Sequence, residues 1–99
     1  MRKIIYTVSD IQSKLQPVFK KYNIKKAILF GSYAKGLADS NSDIDIVVDS
    51  NLRGLAFYGF LEDVVTSVDK SVDLLDMSQI TPASPIQNEI NSTGVVIYG

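Results

Sequence analysis

The sequence predicts an α/β protein of the α+β kind, in which a small mixed β-sheet carries helices packed on one face. Three observations predict it. Short apolar runs at 27–30, 44–48 and 72–76 show either the two-residue alternation or the continuous apolar character of strands. Longer stretches at 9–22 and 55–68 repeat their apolar residues at helical spacing. The two kinds of segment alternate along the chain, an order that favours helices layered on a sheet.

The elements follow in turn. Ser9-Asp10-Ile11-Gln12 reads as a capping box that opens a helix over 9–22, whose apolar stripe is Ile11, Leu15, Val18, Phe19 and Tyr22. Pro17 falls inside it and predicts a bend, not a stop. Residues 27–30 form a buried strand that ends at Gly31, and 32–36 one short helical turn closed by Gly36. Asp39 to Asn41 is polar loop. In the next strand Ile44, Ile46 and Val48 alternate with acids, so one face is core and the other carries acid. A helix over 55–68 leads to a third strand at 72–76. Thr81-Pro82-Ala83-Ser84-Pro85 is loop, 86–91 a final helix and 95–98 a last strand whose place in the sheet is open. The aromatic residues Phe19, Tyr22, Phe30, Phe57, Tyr58 and Phe60 read as core or interface.

Composition narrows the chemistry. The 99 residues suit one domain over 1–99, with room for a core but not for a second substrate domain. With 21% charged residues and a net charge of −1, the chain shows no broad basic footprint, which argues against an extended nucleic-acid surface. It has no cysteine and no histidine, so disulfides, thiolate metal sites and imidazole catalysis are excluded, and any metal is held by oxygen. Met1-Arg2-Lys3 precedes an apolar patch that Ser9-Asp10 interrupts before it reaches signal-peptide length. The expectation is a cytoplasmic protein with no membrane partner.

The informative motif is Gly31-Ser32-Tyr33-Ala34-Lys35-Gly36 followed by Ser42-Asp43-Ile44-Asp45. Asp43 and Asp45 lie two apart in extended chain, share a face, and have Cβ atoms roughly 7 Å apart at most. Two carboxylates held so repel each other unless a cation lies between them, and magnesium suits such a sparse oxygen site. The glycine-serine turn ahead of them reads as a phosphate cradle; Gly31 serves equally as a tight turn and Ser32 as a helix cap, and a helix N-terminus also offers N–H donors to an anion. If the second and third strands are neighbours, Asp73 joins the pair, and three carboxylates are the machinery of two-metal, in-line nucleotidyl transfer. Asp49 and Asp76 fall outside the convergent positions. Ser42 is assigned to the loop and, as a candidate, to the nucleotide.

Gly31-Ser32, Asp43-Ile44-Asp45 and Val72-Asp73-Leu74 together resemble the nucleotidyltransferase superfamily that includes DNA polymerase beta, kanamycin nucleotidyltransferase and tRNA CCA-adding enzymes. The short length and the wording of the glycine motif are most similar to its minimal, MNT-type members, which are usually encoded beside a helical HEPN partner. The resemblance implies a polymerase beta palm-like core in which Asp43, Asp45 and Asp73 are catalytic and bind two Mg2+, with Mn2+ also acceptable. It implies that Asp73 helps activate the nucleophile and that Gly31 and Ser32 hold the triphosphate of ATP. Several members have arginine at one or both of the positions held here by Tyr33 and Lys35; Lys35 keeps the charge without the bidentate fork. The implied function is transfer of AMP to a hydroxyl, a tyrosine by expectation, of a HEPN toxin that is thereby silenced. Two alternatives stand beside it: an antitoxin that neutralises its partner by binding alone, and, ranked last, a small-molecule transferase of the aminoglycoside type.

Overall fold

A computed structural model describes residues 5–99 of the protein. The elements run α1 (Val8–Lys21), β1 (Lys26–Phe30), α2 (Gly31–Lys35), β2 (Ile44–Asp49), α3 (Leu55–Val68), β3 (Val72–Asp76), a 3-10 turn (Met77–Gln79), α4 (Pro85–Thr93) and β4 (Val95–Tyr98). Met1 to Ile4, the start of the stretch weighed as a leader, lie outside the described residues.

Local chemistry sets the element ends. The cap of α1 is Thr7, not Ser9: Thr7 Oγ1 accepts from the Asp10 amide at 3.0 Å and the Thr7 amide donates back to Asp10 Oδ2 at 3.0 Å. Both Thr7-x-x-Asp10 and Ser9-x-x-Gln12 have the right spacing; the earlier pair closes the box and draws Ser9 into the first turn. α1 runs through Pro17 without a stop and ends at Lys21, one residue before the expected end. α4 is longer than 86–91, because Ser84 caps it and Pro85 takes the first helical position, where a missing N–H costs nothing.

The sheet order is β3-β2-β1-β4. β1 pairs antiparallel with both β2 and β4, while β2 pairs parallel with β3 through the α3 crossover. The final strand therefore lies at an edge, beside β1. Ala27, Leu29, Ile44, Ile46, Val48, Leu74 and Ile97 form the core with α1 and α3 on one face.

The α+β class and the mixed sheet match expectation, but the second face is not purely acid and the helices do not all lie on one side. Val47 alternates with Ile46 and is fully buried, in a second cluster with Phe30 of β1 and Ile90 of α4. The cause is in the strands: 27–30 is apolar throughout, so β1 offers apolar side chains to both faces and both need cover. α4 supplies that cover over β1, leaving the part of the second face near Asp45 and Asp73 for the acids.

Candidate functional site

β1 ends where β2 begins its pairing, and this places the glycine turn against the acids. Phe30 is the register partner of Asp45, so Gly31 follows directly beside that carboxylate. Gly31 has φ +73°, and a Cβ built on it would fall on Asp45 Oδ2. Glycine is required here twice over, by the left-handed backbone and by the absence of space. Gly36, also at φ +73°, closes α2, and the Leu37 amide bonds back to the Ser32 carbonyl at 2.9 Å. α2 has no side-chain cap, so Ser32 sits within the helix and does not cap it.

Asp45 and Asp73 are direct partners across the parallel β2–β3 pair. Asp43 stands one residue ahead of β2, and the Ile44 amide ties that point to the Ser71 carbonyl at 3.1 Å, beside the start of β3. The register thus sets Asp45 opposite Asp73 and leaves Asp43 just ahead of β2, at the leading ends of two neighbouring strands. Asp45 is partly buried, whereas Asp43 and Asp73 are exposed. Burial, followed by the charges of Asp73, Asp43 and Glu89, pushes the Asp45 carboxyl from 3.8 up to about 6. Among the described residues no three acids are close enough to form a ready-made ligand cage. The donor set is nevertheless hard oxygen, and its crowding is of the kind that a divalent cation relieves, so the residues fit magnesium or manganese.

The other expected residues divide. Lys35 Nζ lies 2.9 Å from Glu89 Oε1 of α4. Ser42 is absorbed by its loop: its hydroxyl accepts from the Asp39 amide at 2.9 Å and lies 3.3 Å from Asp39 Oδ1. Asp76 is structural, accepting from the Ser50 amide and hydroxyl at 3.1 and 2.5 Å and from those of Ser78 at 2.9 and 2.5 Å. Burial alone raises the Asp76 carboxyl, but these hydrogen bonds outweigh it and hold the group below its usual range.

Two residues near the site were missed by sequence reasoning. Glu89 is the one charged residue of α4, a signal that becomes useful only once α4 is known to lie beside α2. Lys70 is buried and its ammonium donates to the Ser40 carbonyl at 3.1 Å, which anchors the loop ahead of Asp43. A cleft of about 570 Å³ lies at the other end of β2 and β3, lined by Leu52, Arg53, Phe57, Tyr58, Leu61 and Gln79 among others. No helix among the described residues is long and apolar enough to cross a membrane.

Comparison with known proteins gives a consistent picture. The family described as polymerase beta, nucleotidyltransferase matches residues 13–99. A Methanocaldococcus jannaschii protein with the provisional name protein adenylyltransferase MJ0435 is 35% identical over 80 residues, covering 76% of this chain and 83% of its own length. The protein adenylyltransferase MntA of Shewanella oneidensis is 35% identical over 77 residues, covering 76% of this chain but only 49% of its own length. A chain in the crystal structure of a toxin-antitoxin with AMP-PNP superimposes with a TM-score of 0.75 at 25% identity, covering 89% of this chain and 73% of that one. A chain in the complex of tri-AMPylated Shewanella oneidensis HEPN toxin with MNT antitoxin shares the fold, with a TM-score of 0.70 at 21% identity over 94% of this chain and 73% of its own. The family match runs from within α1 to the last residue and takes in the glycine turn and all three strand acids, so this chain belongs to the polymerase beta nucleotidyltransferase family.

Proposed function

We propose that this protein transfers AMP from ATP to a hydroxyl of a partner protein, and that the partner is a helical HEPN-type toxin which the modification silences, with a tyrosine as acceptor. The observation that carries the chemistry is the register match of Asp45 with Asp73, set against a glycine that has no room for a side chain. The choice of a protein acceptor is supported by the names of the relatives above, which are protein adenylyltransferases, and by their toxin-antitoxin complexes.

In this reading the acceptor oxygen bonds to the α-phosphorus as the bond to the bridging oxygen breaks, and pyrophosphate leaves. Asp43, Asp45 and Asp73 would hold Mg2+, which neutralises phosphate charge and lowers the pKa of the acceptor hydroxyl. The Gly31-Ser32 backbone, with no side chain at 31, lets the triphosphate approach closely. Lys35 adds a positive charge for the phosphates, and Ser42 shapes the loop at the nucleotide's edge. Exposed Asp73 assists removal of the acceptor's proton. Such chemistry relies on positioning and charge more than on a strong base, which suits a site without histidine.

The test is intact-mass spectrometry of a co-purified helical partner incubated with this protein, ATP and Mg2+, beside the Asp43→Asn, Asp45→Asn variant. One or more AMP increments that disappear with the variant are expected; identical labelling by the variant would overturn the assignment. A second reading, neutralisation by binding alone, is favoured by exposed Leu55 and Tyr58 beside the 570 Å³ cleft. It predicts that the double variant still suppresses the partner's toxicity in full.

A further inference from the structure

α4 brings to the site one charge that the chemistry above does not use. Glu89 Oε1 holds Lys35 Nζ at 2.9 Å, and Glu89 is also one of the charges felt by the Asp45 carboxyl. The same carboxylate therefore grips the cation assigned to the phosphates and faces the acid assigned to the metal. We infer that Glu89 is a stand-in for the nucleotide's phosphate: it holds the Lys35 ammonium in the nucleotide-free protein and yields it to the incoming triphosphate. This deepens the nucleotidyltransfer reading and rests on it.

Four features carry the inference. Lys35, on the short helix that opens at Gly31, has its ion pair with Glu89 of α4. Secondly, the pair is easily opened: the side chains are 39% and 35% exposed, and ion pairs of that exposure contribute about 0–1 kcal/mol. Thirdly, lysine suits an exchange, because it is a point charge with three donors on a flexible stem, where arginine's planar fork would commit to one geometry.

Fourthly, the two partners are anchored unequally. Glu89 precedes Ile90, which is buried against Phe30 and Val47. α4 is also closed at Gly94, where a Cβ would strike the Ile90 carbonyl and Ile28. When the pair opens, the carboxylate stays and the ammonium moves. A triphosphate carries more charge than one carboxylate and so wins the competition, and the cost of opening the Lys35–Glu89 pair is subtracted from nucleotide affinity. Glu89 thus keeps the empty site ordered at the expense of nucleotide affinity.

The test is calorimetric titration of Mg-ATP into the wild-type protein, Glu89→Gln, Lys35→Met and the double variant, each first checked for an unchanged circular dichroism spectrum. Glu89→Gln is expected to tighten binding about 2- to 5-fold, the scale of opening an ion pair of that exposure. Lys35→Met is expected to weaken it. In the Lys35→Met background, Glu89→Gln is expected to change affinity less than about 2-fold, because the carboxylate acts through the ammonium. Unchanged or weaker binding by Glu89→Gln overturns the stand-in role, as does an equal gain with and without Lys35. Those outcomes leave the nucleotidyltransfer reading intact; a wild-type chain that binds no Mg-ATP overturns both.

Discussion

Asp45 is the residue on which local and global demands meet. Burial and neighbouring acids raise its carboxyl to about 6, so between its ordinary 3.8 and that value the folded chain binds more protons than the unfolded one. The stability attached to this group is therefore fully present below about pH 4 and lost as pH rises through 6. Asp45→Asn should flatten that slope and, near pH 7.5, stabilise the nucleotide-free protein by about 1–2 kcal/mol once solvent screening is allowed for. Urea unfolding of both proteins at pH 4.5 and 7.5 checks it. Gly31→Ala should do the reverse for function: it keeps the fold at a strain of about 1–3 kcal/mol but displaces the Asp45 carboxylate, and AMP transfer should fall by about 100-fold or more. Both positions are legible in the sequence, because glycine before a strand acid at this spacing carries its own steric meaning. The Lys35–Glu89 pair is not legible, since the 53 intervening residues say nothing of which charges meet.

At the scale of elements, the ends of α3, β3 and β4 match the sequence reading, because periodicity and turn residues are local signals. α1 shows where such signals compete: two overlapping capping boxes are available, and Thr7 closes the one that forms. Thr7→Ala should cost about 1 kcal/mol, read as a lower melting temperature with unchanged transfer activity. The end of β3 shows what alternation does not reveal. Asp76 gathers two amides and two hydroxyls from Ser50 and Ser78, fastening the segment after β2 to the turn after β3. Asp76→Ala leaves those donors without their acceptor and should destabilise by about 2–4 kcal/mol in urea unfolding. Its lowered pKa has the opposite sign to that of Asp45: the stability it adds is present above the ordinary carboxylate range and is lost as pH falls through its pKa.

Across the whole molecule, the order β3-β2-β1-β4 decides which residues become neighbours. It pairs Asp45 with Asp73 and puts Gly31 beside them. It also gives β1 two covered faces, which brings α4 and Glu89 to the flank of the site. Lys70 is a second long-range tie, joining the start of β3 to the loop before Asp43 through the Ser40 carbonyl. Lys70→Met should leave the fold intact and loosen that loop, seen as faster amide exchange at Asn41 and Ser42, whose amides bond to Asp39 at 2.8 and 3.1 Å.

The amino-acid sequence by itself determined the α+β class, the extents of most elements, the glycine turn and the three acids, because each depends on spacing within a few residues. Only the tertiary structure decided that β4 lies beside β1, that α4 covers the second face, that Ser42 is bound up in its loop and that Glu89 holds Lys35. Those outcomes depend on which apolar surfaces find each other at long range, and a polar side chain acquires its partner only after that packing is settled.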